Sequence, residues 1–110
     1  MGCNSDPYMN AKKQSDDPRF IRVHLHISGR VQGVYFRHNM KLVAIENKVH
    51  GWVRNRADGS VEAVLEGIHD NIDNVIEWSY KGPKVAVVEK LSIENEKYEG
   101  DFSSFEIVDG

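Results

Sequence analysis

A single cysteine, three prolines and the absence of any long apolar run set the first limits on this 110-residue chain. Cys3 has no partner for an intramolecular disulfide, and no cysteine cluster exists for a zinc or iron–sulfur site. A reducing, cytoplasmic setting is therefore expected. No stretch approaches the roughly 18 uncharged apolar residues of a membrane span. No basic segment leads into an apolar one at the start, so no secretory signal is expected. The length leaves no room for two separately stable cores. Hydrophobic residues at 40% and charged residues at 28% suit one globular domain.

An overall excess of positive charge is also missing, since the net charge is −3. The charge is nonetheless unevenly spread. Residues 29–56 carry six bases (Arg30, Arg37, Lys41, Lys48, Arg54, Arg56) against Glu46, whereas residues 57–110 carry four lysines against thirteen acids. An anionic partner suits the basic stretch, and a solvated basic face is the alternative reading. Residues 1–18 have few apolar positions and no period. They are expected to be a disordered leader, with the folded domain over 19–110. The opening Met-Gly-Cys-Asn-Ser-Asp has Asp6 where an N-myristoylation signal needs Ser or Thr, so no lipid anchor is expected.

Phe20–Ser28 alternates, with Ile21, Val23, Leu25 and Ile27 on one face and Arg22, His24, His26 and Ser28 on the other. That is a half-buried strand. After the Gly29–Gly33 interruption, Phe36, Met40, Val43 and Ala44 predict a helix from about Tyr35 to Asn47. Val49–Arg56 reads as a strand, Ala57–Ser60 as a hairpin turn, and Val61–Glu66 as the returning strand with Glu62 and Glu66 on its wet face. Ile68, Ile72, Val75, Ile76 and Ser79 mark a second helix that stops before Gly82-Pro83. Val85, Val87, Leu91 and Ile93 predict a further strand, Glu94–Ser103 an acidic connection, and Phe105–Val108 a short last strand. The order predicts an α+β, ferredoxin-like βαββαβ sandwich. It has an antiparallel sheet, two helices on one face and a short extra C-terminal strand. That plan hosts many functions, so the site must decide.

The most informative segment is Gly29-Arg30-Val31-Gln32-Gly33-Val34-Tyr35-Phe36-Arg37. It joins a strand end to a helix start, where successive N–H groups can turn inward around an anion and the helix terminus adds donors. The glycines permit positive φ and close approach to the backbone. Arg37 is a cation in the first helical turn, where the macrodipole disfavours it. An anion held between it and the loop explains its presence, and its planar fork suits phosphate. The plain reading is an ordinary strand-to-helix turn with a surface arginine. The spacing matches neither a Walker A loop nor Gly-x-Gly-x-x-Gly. Asn55 stands at the end of a strand, on the face of Val49, Gly51 and Val53, where asparagine is disfavoured. It either caps the following turn or offers a buried amide to a water beside the anion.

These motifs resemble the acylphosphatase family. The resemblance rests on Gly29 to Arg37, Gly51-Trp52-Val53-Arg54-Asn55, Asp58-Gly59-Ser60-Val61-Glu62, and Gly82-Pro83 with Ala86-Val87. It covers roughly Phe20 to Val108. It implies a small stand-alone enzyme that hydrolyses the carboxyl–phosphate bond of acyl phosphates. Arg37 would bind the phosphate and the amides of Gly29, Arg30, Val31, Gln32, Gly33 and Val34 would cradle it, with the Arg30 side chain adding to the field. Asn55 would position the attacking water. No metal or cofactor is implied. The expected partner is a small acyl phosphate, with no nucleic acid and no membrane, and a monomer is expected.

Other features have structural readings. His24 and His26 share a strand face and could chelate, but a wet-face pair is the expectation. His38 adjoins Arg37 and could tune the charge of the site below neutral pH. Trp52 falls with His50 and Arg54 and is expected to pack. Glu62, Glu66, Glu94, Glu96 and Glu99 read as a solvated acidic face. An RNA-binding module of the same plan would need aromatics on its third strand, and Val61–Glu66 has none. A non-catalytic phosphate- or metabolite-sensing domain is the second alternative. The third is a piece of a larger carbamoyl-transfer protein, against which the end of the chain after the last strand, with no zinc-finger segment, favours a stand-alone enzyme.

Overall fold

The alternation of the first strand sets the layering. The computed structural model describes residues 17–109, so the expected leader falls outside the described residues except for Asp17 and Pro18, and Cys3 lies outside them too. The elements run β1 (Phe20–Arg30), α1 (Phe36–Glu46), β2 (His50–Asn55), β3 (Val61–Ile68), α2 (His69–Lys81), β4 (Val87–Glu96) and β5 (Phe105–Ile107). The sheet order is β4-β1-β3-β2-β5. The four long strands pair antiparallel, as expected, and β5 adds parallel to β2, which makes the five-stranded sheet mixed.

Val23, Leu25 and Ile27 face Leu65, Ala63 and Val61 across β1 and β3, and all six are buried. Phe36, Met40 and Ala44 of α1 and Ile72, Val75 and Ser79 of α2 cover this face. Phe36 and Trp78 tie the helices together with ring centroids 5.2 Å apart. Helix α1 ends where Asn47 returns its side-chain amide to the Val43 carbonyl at 2.8 Å and Lys48 turns to a φ of 58°. No helix among the described residues is long and apolar enough to cross a membrane.

The open face of the sheet departs from expectation. Glu62 and Glu66 are not solvated; they are only 7% and 3% exposed. Arg54 and Arg56 reach Glu62 at 2.7 and 3.2 Å, and Arg22 reaches Glu66 at 3.3 Å. His24 closes on Glu62 at 2.6 Å and on Glu96 at 2.9 Å. Opposite charges and the Trp52 ring, over which the Arg54 guanidinium lies, cover what an alternation pattern reads as bare. The acidic connection likewise begins later than expected. Strand β4 continues through Glu96, because Arg22 and His24 on β1 pair with Glu96 and Glu94 in register and hold the strand down.

Candidate active site

The loop after β1 is shaped by a bulge. Pairing between β1 and β4 shifts register between Ser28 and Gly29. Gly29 has a φ of 124°, and a Cβ there would run into the Val87 carbonyl oxygen. Only glycine fits both demands. Val31 and Val34 are buried and pin the loop to the core. Gly33, at φ 76°, faces open space. Among the described residues the N–H groups of Gln32, Gly33 and Val34 donate to no protein acceptor. The first turn of α1 adds its own unpaired donors next to them.

Arg37 is the second residue of α1, half-buried, with no acid in the first turn. Arg22, Arg54 and Arg56 each pair with a glutamate, whereas Arg37 enters no ion pair among the described residues. Asn55 ends β2. It lies opposite Val61, which lies opposite Ile27, so the register puts Asn55 in the covered row that leads into the loop. Its Oδ1 is buried without a hydrogen-bond partner among the described residues. A buried acceptor left unpaired costs about 1–3 kcal/mol, so its retention asks for a reason outside the fold.

Val31, Gly33, Arg37 and Asn55 line one cleft of about 330 Å³. The other loop residues act around it. Gly29 forms the bulge, and Arg30 is exposed at the end of β1 opposite Val87. The Gln32 side chain turns to the hairpin, donating to the Arg56 and Ser60 carbonyls at 2.8 and 2.9 Å. The cleft is completed by Tyr35, Phe36, His38 and Ile107. Ile107 was not legible as a site residue, since nothing in a three-residue strand says which loop it will meet. A larger hollow of about 660 Å³ lies on the open sheet face around His24 and Glu62. Its central charges are already paired with each other. His24, Glu94 and Glu96 bring possible ligand atoms within 4.8 Å of one another. However, both His24 ring nitrogens already face carboxylates. Burial disfavours its charged form, but the hydrogen bonds to Glu96 and Glu62 outweigh that and raise its pKa from the ordinary 6.5.

Comparison with known proteins bears on the same segments. The family model described as Acylphosphatase matches residues 23–107. An acylphosphatase of Pyrobaculum islandicum is 52% identical over 89 residues, covering 80% of this chain and 94% of the relative. The structure of an acylphosphatase from Coxiella burnetii superposes with a TM-score of 0.79 at 35% identity, covering 84% of this chain and 96% of that one. The Bacillus subtilis acylphosphatase gives 0.77 at 32% identity, covering 80% and 98%. With the motifs, the fold and these relatives in agreement, the chain belongs to the acylphosphatase family, enzymes that hydrolyse acyl phosphates.

Proposed function

We propose that the cleft between the loop and Asn55 is where this hydrolysis takes place. The phosphoryl group of an acyl phosphate lies against the amides of Val31 to Val34, with Gly29 setting the bend and Arg30 adding to the field. Arg37 grips two phosphoryl oxygens through its fork. Asn55 accepts a hydrogen bond from a water placed in line behind phosphorus. The water oxygen bonds to phosphorus as the phosphorus–oxygen bond to the acyl group breaks, and a phosphoryl oxygen takes the water's proton. The products are a carboxylate and inorganic phosphate.

The chemistry asks little more of the protein. Phosphoryl transfer is catalysed by positioning and by neutralising charge on the equatorial oxygens. A carboxylate leaves without help from an acid, so no strong base, metal or cofactor is assigned. The observation that carries the reading is the pairing, in one cleft, of an arginine without a counter-ion and a buried amide oxygen without a partner among the described residues. One chain supplies every group named, which suits a monomer, and a single cysteine suits the cytoplasm.

The test is release of phosphate from benzoyl phosphate in excess chelator. Arg37→Ala and Asn55→Ala should each lose about two to three powers of ten in turnover, with unfolding transitions still cooperative. Near-normal turnover in either variant would reject the assignment. Activity lost to the chelator and restored by one metal would reject the metal-free mechanism.

A further inference from the structure

Tyr35 is held in a conformation that its residue type disfavours. Its φ is 64° and ψ 27°, the left-handed region, where a bulky side chain is strained. Glycine or asparagine would take the same turn more cheaply. The loop already uses glycine for positive φ at Gly33. The position is not loose either, since the Asn39 main chain and side chain both donate to the Tyr35 carbonyl, at 3.1 and 2.9 Å.

Packing within the fold does not offset the strain. Tyr35 is 76% exposed, the highest value among the large exposed hydrophobic residues of the described chain segment. It nonetheless lines the phosphate cleft, and Ile107, itself 38% exposed, lines it as well. An acyl phosphate has two ends. Once the loop amides and Arg37 take the charged end, the acyl end must leave through the rim of this cleft.

We infer that Tyr35, with Ile107, forms an acyl-group subsite that selects acyl phosphates with an aromatic or bulky apolar acyl group over small ones. This rests on the phosphoryl group being bound as proposed above. Burying an aromatic face against an apolar acyl group adds about 0.5–1.5 kcal/mol, a preference of about three- to tenfold.

The experiment compares benzoyl phosphate with acetyl phosphate in wild type and Tyr35→Asn, with inhibition by inorganic phosphate measured in both. The ratio of kcat/KM for benzoyl over acetyl phosphate should fall about three- to tenfold in Tyr35→Asn, through KM for benzoyl phosphate rather than kcat. Its melting temperature should equal or exceed that of wild type, which a merely structural tyrosine would not allow. An unchanged ratio, with phosphate still a competitive inhibitor, would overturn the acyl subsite alone. Absence of competitive inhibition by phosphate in wild type would overturn the phosphate site beneath it.

Discussion

Gln32 donates through Nε2 to the main-chain carbonyl of Arg56 at 2.8 Å, and the same nitrogen donates to Ser60 at 2.9 Å. This one side chain fastens the loop after β1 to the hairpin that carries Asn55. The anchor works because the hairpin is itself closed, by Arg56 N–H on the Ser60 carbonyl at 2.8 Å and by Ser60 N–H and Oγ on Asp58 Oδ1 at 3.0 and 2.6 Å. The distance between the loop and the Asn55 amide, the two sides of the proposed site, is thus set by a hydrogen-bonded side chain rather than by sheet pairing alone.

Gln32→Ala should therefore reduce turnover of benzoyl phosphate by about tenfold or more, since small misplacements of reacting groups are amplified in rate. The loss of two hydrogen bonds should lower stability by roughly 1–2 kcal/mol. Gln32→Glu should be worse on both counts, because a carboxylate would face two carbonyls and repel the phosphate. Wild-type kinetics in Gln32→Ala would show that the hairpin holds its position without this link.

Asn55 should separate activity from stability. Its buried, unpartnered Oδ1 is a cost to the folded state. Asn55→Leu places an apolar group of similar size in that row of the covered face. It should be inactive yet unfold at an equal or higher denaturant concentration than wild type. A drop of more than about 1 kcal/mol in unfolding free energy would mean that Asn55 is a turn cap whose loss the hairpin feels.

Arg37→Lys tests whether geometry or charge matters. A lysine keeps the positive charge but loses the two parallel donors. The expected result is a loss of roughly two powers of ten in kcat/KM, close to that of Arg37→Ala. Recovery to within about threefold of wild type would reduce Arg37 to a point charge near the loop.

How far these residues could be read from sequence depends on what each signal encodes. Alternation encodes faces, and it placed Val23, Leu25 and Ile27 inside and Asn55 on the covered face. The run from Gly29 to Arg37 encodes a local device, a strand-to-helix loop bent at positive-φ glycines, so its shape was legible before any tertiary contact. Ile107 and the Gln32 anchor depend on contacts between segments far apart in the chain, for which there is no local pattern. Glu62 and Glu66 were misread for the same reason. A charged residue on an outward face reads as solvated unless its cross-strand partners are known, and here Arg22, Arg54 and Arg56 cover the pair.

That covered network makes stability depend on pH from both sides. Burial works against the charge on Glu62, but hydrogen bonds from Arg54, His24 and Arg56 prevail and hold its pKa at about 2, below the usual 4.5. A carboxylate depressed on folding stabilises fully above its unfolded value, and the contribution fades as pH falls from about 4.5 towards 2. His24 has the opposite sign. Its pKa is raised on folding, so its contribution is complete below 6.5 and is lost as pH climbs through the folded value. The unfolding free energy should therefore sag below pH 4.5 and again above pH 6.5, with the alkaline sag absent in His24→Gln and the acid sag reduced in Glu62→Gln. Urea unfolding followed across pH in wild type and both variants checks this. An alkaline sag that survives in His24→Gln would assign it to another group and leave the Glu62–His24–Glu96 bridge without a role in stability.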